Sequence, residues 1–159
     1  PFPFWPASAR EVPTPKGVVG IMSPWNYPVQ LALWPAVDAI AAGNRVALKP
    51  SERTPRTAAL LAELVEAALG PGIARTVQGG PEVAADFAAQ PWDHLVFTGG
   101  TETGRKVAEA AARNLVPVTL ELGGKCPAVV LPGADLARTA RDILAGKAVN
   151  AGQTCVAPD

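Results

Sequence analysis

The sequence predicts an α/β fold: a doubly wound parallel sheet, followed by the start of a second domain. Three observations lead there. Short apolar runs suited to buried strands alternate with helix-period patterns from Val18 to Leu122, polar and glycine-rich turns separate them, and the connections are short. Parallel strands need crossovers and right-handed crossovers dominate, so this alternation implies a sheet covered on both faces. With 159 residues, 48% apolar and 18% charged, the chain can bury such a core.

The elements follow in order. Residues 1–16 carry five prolines, which remove backbone donors and favour extended chain, so this stretch is expected to be a lead-in or an edge strand. Val18–Met22 reads as a buried strand, followed by the turn S-P-W-N-Y-P and an apolar helix over 29–42 that Gly43-Asn44 ends. A second strand covers 46–48, and K-P-S-E leaves its carboxyl end. Thr54-Pro55 supplies an N-cap and an N1 proline; Leu61, Leu64, Val65 and Ala68 are expected on one helix face, which Gly70 closes. A strand over 74–77, a short helix over 82–90, a strand over 94–97, the turn T-G-G-T-E-T-G, an alanine-rich helix over 102–113 and a strand at Val118–Leu122 complete the alternation. After Gly124 a further strand is expected at 128–131 and a helix from about Asp135 with Leu136, Ala140, Ile143 and Leu144 on one face. A domain boundary is therefore placed near Gly123-Gly124, dividing 1–123 from 124–159. In open sheets of this kind ligands bind beyond the carboxyl ends of the strands, so the turns after Met22, Leu48, Val77, Phe97 and Leu122 are expected to share one rim.

Composition narrows the function. The formal net charge is zero, which gives no reason to expect a nucleic acid or an anionic membrane as partner. Residues 17–37 are uncharged, but their three prolines with Asn26, Tyr27 and Gln30 make a poor membrane span. Two cysteines and one histidine, with no Cys-x-x-Cys pair, form neither a disulfide framework nor a zinc signature; no metal is expected, and a reducing cytoplasm is the default. The chain begins at Pro1 and ends shortly after Cys155, and is expected to be a piece of a longer protein.

Chemistry concentrates in residues 119–159, where T-L-E-L-G-G-K-C-P is followed, after one helical segment, by G-Q-T-C-V-A-P-D. Glu121 ends an apolar run and Cys155 lies far along the chain, each beside small residues that admit a ligand to the backbone. An acid and a thiol that fold together suggest covalent catalysis. The turn from Gly99 to Gly104 follows a strand and opens a helix, where N–H groups and the positive helix end can meet a phosphate. It is neither G-x-G-x-x-G, since Thr101 replaces the second glycine, nor a Walker loop, since Arg105-Lys106 follows Gly104. Glu121 also lies at about the distance from this turn at which an acid holds a ribose in dinucleotide folds, a rival role for it. Asn26, between two prolines, can donate to an oxygen that gains charge during reaction, or simply bond its own turn.

These pieces together resemble the NAD(P)-dependent aldehyde dehydrogenase superfamily. P-W-N-Y-P (24–28), L-K-P-S-E (48–52), F-T-G-G-T-E-T-G (97–104), L-E-L-G-G-K (120–125) and G-Q-T-C (152–155) occur in the family's order and near its spacing. The ending C-V-A-P-D, with N-L-V-P-V-T-L-E-L-G-G before it, is similar to the class 3 and coniferyl aldehyde dehydrogenase branch. The resemblance implies a Rossmann-like cofactor domain and oxidation of an aldehyde to a carboxylic acid with NAD, NADP being a second possibility. It makes Cys155 the nucleophile, Asn26 with the Cys155 N–H the oxyanion holder, and Glu121 the activator of the hydrolytic water, which displaces the ribose reading. Lys49 and Glu52 would contact the adenosine ribose. Lys49 with Ser51 would accept a 2′-phosphate, but Glu52 would repel it and favours NAD. Trp25 and Gly100 would lie near the pyrophosphate and Gly80 near the adenine. Phe97, Thr98, Gly99, Thr101, Glu102, Thr103 and Gly104 of the fourth turn, with Leu122, complete the implied cofactor contacts.

Plainer roles are expected elsewhere. Cys126 stands where the family usually has serine and is read as structural, although a thiol near Glu121 is oxidisable; His94 is read as a strand-edge residue, and Trp5, Trp34 and Trp92 as packing residues. The resemblance implies a small aldehyde as substrate, aromatic or medium-chain aliphatic, and a homodimeric full-length parent. The isolated chain is expected to be nearly inactive. Two other readings stay open: a dinucleotide-binding module without turnover, and a relative that passes the acyl group to coenzyme A or reduces an acyl phosphate, against which Glu121 weighs.

Overall fold

The computed structural model describes Pro6 and residues 10–159; Trp5 and most of the proline-rich lead-in lie outside the described residues. Residues 10–16 form no strand. Their end is held by Asn44, whose side-chain oxygen accepts from the Lys16 and Gly17 N–H groups at 2.6 and 3.0 Å while its amide donates to the Ala39 carbonyl at 2.9 Å. The expected helix stop is thus also a clamp on the entry to the sheet.

Among the described residues five strands and five helices alternate: β1 Val18–Met22, α1 Gln30–Ala41, β2 Arg45–Lys49, α2 Pro55–Leu69, β3 Ala74–Thr76, α3 Pro81–Ala88, β4 His94–Gly99, α4 Thr101–Ala112, β5 Val118–Leu122 and α5 Leu136–Ala148. The strand order is β3-β2-β1-β4-β5 and every pairing is parallel. The order reverses direction between β1 and β4, where Gly20 pairs with Leu95 and Met22 with Phe97. Crossovers to opposite sides leave a crevice at this point.

Alternation along the strands divides the core into two layers. Val19, Ile21, Val46 and Leu48 face α1 and α2, joining Ala36 and Val65; Met22, Ala47, Leu95 and Phe97 face α3 and α4, joining Phe87, Val107 and Ala111. Gly20 is fixed by this packing, because a Cβ there would lie 2.9 Å from three ring atoms of Trp92. That ring packs tilted by 40° against Phe87, with centroids 4.7 Å apart, and its indole N–H donates to the Phe87 carbonyl at 2.7 Å. Trp92 is therefore the packing residue expected. Trp34 is not: it is 64% exposed.

Three expectations need correction. On α2 the buried face is Ala58, Leu61 and Val65, whereas Leu64 and Ala68 are exposed, because α2 crosses the sheet on one seam one turn apart rather than on the broader stripe. Thr54 takes the N-cap position, but its hydroxyl reaches back to the Ser51 carbonyl instead of capping. The strand expected at 128–131 does not form. Beyond β5 the one parallel pairing is an isolated bridge of Cys126 with Pro158, and an apolar run without a ladder partner has nothing to make it a strand. The helix expected from Asp135 does form, with the Asp135 carboxylate accepting from the Arg138 N–H at 3.0 Å, yet none of its residues is buried.

Candidate active site

The carboxyl rim of the sheet carries two adjoining cavities. Their common wall is made by Pro24 and Trp25 from the turn after β1 and by Thr98, Gly99 and Gly100 at the β4–α4 junction. The parallel register puts both turns at one end of the sheet, which is how distant segments of sequence come to share a wall.

The first cavity, about 680 Å³, opens on the α3/α4 side and is lined by Ser23, Lys49, Ser51, Glu52, Phe97 and Thr103, among others. Lys49 ends β2 and is only 3% exposed, so it is buried rather than solvated at the strand end. Its ammonium donates to the Pro50 carbonyl at 3.1 Å and to the Glu52 carboxylate at 3.2 Å. A hydrogen bond from the backbone holds the Glu52 carboxyl below the usual carboxylate range; partial burial opposes this, and Lys49 adds to it. Ser51 is buried and its Oγ accepts from the Arg53 N–H at 3.2 Å.

Two features fit this cavity to a dinucleotide. The Ser23 hydroxyl is buried on its wall with no partner among the described residues, a group that a ligand hydroxyl can satisfy. Gly100 is the N-cap of α4 without a capping side chain, and a Cβ on it would meet nothing within 4 Å. The first N–H groups of α4 are thus open to a phosphate on the positive end of the helix.

The second cavity, about 590 Å³, lies toward α1 and β5 and is lined by Asn26, Trp34, Glu121, Leu122, Thr154 and Cys155, among others. Glu121 lies on the α1/α2 side of the sheet, opposite the face of β5 that packs toward α4, and is exposed. Cys155 is also exposed and follows a 3-10 turn at Val149–Gly152. Asn26 does not bond its own turn: its amide donates to the Gln153 carbonyl at 2.9 Å, and Asn150 donates back to the Asn26 carbonyl at 3.0 Å. Cys126 is half-buried and its thiol donates to the Cys155 carbonyl at 3.2 Å. Thiol, carboxylate and carboxamide therefore open into one space.

Other residues singled out in the sequence are distributed unevenly. Leu122 lines the second cavity rather than the first. Gly80 is the N-cap of α3, and its neighbour Pro81 rather than Gly80 lines the first cavity. Gly104 is buried where a Cβ would lie 2.7 Å from Leu122, which is a packing constraint. Thr101 and Glu102 are exposed and line neither cavity; Glu102 pairs with Arg105 at 3.5 Å. His94 begins β4, bonded to the Thr119 hydroxyl at 2.8 Å and to Lys16 at 3.2 Å. Sequence reasoning missed Ser23, and Arg53, whose guanidinium lies 5.9 Å from the Trp25 ring centroid. Both flank recognised motifs, and that adjacency was the available signal. Among the described residues no group of three or more His, Cys, Asp or Glu is placed to hold a metal, and no helix is long and apolar enough to cross a membrane.

A five-stranded parallel sheet in this order, wound on both faces and open at the β1/β4 crevice, has the architecture of Rossmann-like nucleotide-binding proteins. Residues 5–159 match the model of the aldehyde dehydrogenase family, and the chain belongs to that family. It is 56% identical over 153 residues to the coniferyl aldehyde dehydrogenase of Pseudomonas sp. strain HR199, an alignment covering 96% of this chain and 32% of that protein. Among solved structures it is similar to the substrate-bound state of Staphylococcus aureus AldH, with a TM-score of 0.88 and 43% identity over 92% of this chain and 32% of that one. It is likewise similar to a mutant of Pseudomonas syringae aldehyde dehydrogenase C complexed with NAD+ and octanal, with a TM-score of 0.85 and 42% identity over 91% of this chain and 30% of that one. The chain thus spans about a third of the length of the relatives it matches.

Proposed function

We propose that the protein carrying this chain oxidises an aldehyde to a carboxylic acid with NAD, and that Cys155, Glu121 and Asn26 perform the chemistry. The observation that carries the reading is the convergence of these three side chains on one cavity, separated only by Trp25 and the β4–α4 junction from a cavity suited to a dinucleotide. The Cys155 thiolate adds to the aldehyde carbon to give a thiohemiacetal. The amide of Asn26 has two N–H groups, one already on the Gln153 carbonyl, and the second, with the Cys155 N–H, steadies the new oxyanion. NAD, when bound, supplies the hydride acceptor. Glu121 then takes a proton from the water that attacks the thioester, and the acid leaves.

Lys49 and Glu52 would hold the adenosine ribose, Ser23 a further hydroxyl, and the α4 N-terminus a phosphate. Glu52 is kept ionised beside that ribose, so a 2′-phosphate is repelled and NAD is preferred over NADP. Residues 1–123 form the cofactor domain in this reading and 124–159 the beginning of a second one. The likeness to a coniferyl aldehyde dehydrogenase and to an octanal-bound enzyme supports an aromatic or medium-chain aliphatic aldehyde. We further propose a cytoplasmic homodimer that takes neither nucleic acid nor membrane as partner. The 159-residue polypeptide alone turns over little, since α5 buries nothing and leaves the Cys155 segment weakly held.

Aldehyde-dependent NADH formation, with product analysis in the presence and absence of coenzyme A, tests the reading. Free acid in both conditions is expected. An acyl-coenzyme A product, or NAD binding without any turnover in the longest polypeptide that carries the sequence, would overturn it.

A further inference from the structure

We propose that Tyr27 is a positioning residue which, through the Thr154 hydroxyl, holds the turn before Cys155 so that the thiol stays in the cavity with Asn26 and Glu121. The proposal rests on the reading of Cys155 as nucleophile.

The turn needs holding. Asn150, Ala151 and Gly152 are three successive residues with positive φ, at 48°, 55° and 78°; asparagine and glycine tolerate this region, but the Ala151 side chain disfavours it. Neither α5 nor the 3-10 turn contributes a buried residue, so packing does not impose the conformation. Two bonds within the turn close it, from the Gln153 N–H and side-chain amide to the Asn150 carbonyl at 3.0 and 3.2 Å, and polar contacts to the turn after β1 anchor it. Asn26 and Asn150 exchange two of them with the opposite segment, and the Tyr27 phenol meets the Thr154 hydroxyl at 2.5 Å.

Of these links, the one between the two hydroxyls is separate from the chemistry. Asn26 must also serve the oxyanion, and a thermal opening of its bond to Gln153 would let the turn relax toward ordinary backbone. Tyr27 and Thr154 are both half-buried, and Thr154 immediately precedes the nucleophile. Tyr27 follows β1 directly after Asn26, so one rigid turn sets both the oxyanion donor and the anchor of the thiol.

The test compares Tyr27→Phe, Thr154→Val, their double variant and Thr154→Ser in the longest polypeptide that carries the sequence. Steady-state kinetics and amide hydrogen exchange over residues 149–156 are both read. Each hydroxyl-deleting variant is expected to lower kcat/KM about tenfold, mainly through kcat, the scale of one lost hydrogen bond. The double variant should be no worse than about twofold below either single, because one bond is lost in all three. Thr154→Ser keeps the hydroxyl and should restore both activity and slow exchange. Full activity with unchanged local exchange in Tyr27→Phe overturns the proposal, as does additive loss in the double variant. Should Tyr27→Phe fail to fold, Thr154→Val against Thr154→Ser decides: equal behaviour of the two overturns it. Absence of turnover in the wild-type protein would contradict the aldehyde reading instead. Exchange then decides the clasp alone, faster over 149–156 in Tyr27→Phe and Thr154→Val but not in Thr154→Ser if it exists, and the same in all if it does not.

Discussion

A buried ammonium is costly unless it is paired, and Lys49 shows how this fold meets the cost: one carbonyl and one carboxylate take two of its three donors. The third donor is left for a ligand in the adjoining cavity. Lys49→Ala is expected to weaken NAD binding roughly tenfold or more, the scale of a charge-assisted hydrogen bond, in a titration followed by the fluorescence of Trp25. An unchanged affinity would remove Lys49 from the cofactor site. His94 belongs to the same scale with a different consequence. Burial first, and the Lys16 charge second, push its pKa below the ordinary histidine value of 6.5. A depressed histidine pKa means the folded state prefers the neutral ring, so its contribution to stability is complete above about pH 6.5 and is lost as pH falls through the lowered folded value. Thermal melts between about pH 5 and 8 should show this loss in the wild type and a smaller one in His94→Gln; parallel profiles would contradict it.

At the scale of elements, Gly20 and Trp92 form a fitted pair between β1 and the segment before β4. Gly20→Ala drives a methyl into an indole already fixed on two sides, and should cost about 1–3 kcal/mol by urea denaturation, the range for overpacking a core. An unchanged midpoint would mean the ring moves aside freely. This scale also shows what could be read from sequence. The five strands and their helices were legible because burial on both sheet faces writes apolar runs, and helices write a 3.6-residue period, into the residues themselves. The strand expected at 128–131 failed for the opposite reason. Val129, Val130 and Leu131 have strand-like composition, but a ladder depends on a partner edge, which no local pattern encodes. The α2 face was misjudged at Leu64 because the seam on which a helix crosses its sheet is a tertiary choice. Of the candidate site, the motif residues were legible as chemistry. Tyr27, Thr154 and Ser23 were not, since a hydroxyl becomes informative only when its neighbour, or the lack of one, is seen.

Taken as a whole, the molecule divides its labour unevenly. The sheet from β1 to β5 holds both core layers, whereas residues beyond Leu122 bury Ala157 and are drawn together by Asp159, paired with Lys125 and Lys147 of the same segment. Exposed ion pairs of this kind hold weakly. Hydrogen exchange should therefore be slowest in β1 and β4 and faster in residues 124–159, least so in the clasped stretch 149–156, and equal protection of the two parts would contradict this division. Cys155, the proposed nucleophile, thus belongs to the less firmly held part, and the turn after β1 brings it to the sheet. The most direct check on that arrangement is intact-protein mass spectrometry of Glu121→Gln and Cys155→Ser, each mixed with an aldehyde and NAD in the longest polypeptide that carries the sequence. An added acyl mass is expected on Glu121→Gln, located at Cys155, and none on Cys155→Ser. Sustained aldehyde oxidation by Cys155→Ser, or an acyl group on any other residue of Glu121→Gln, would contradict it.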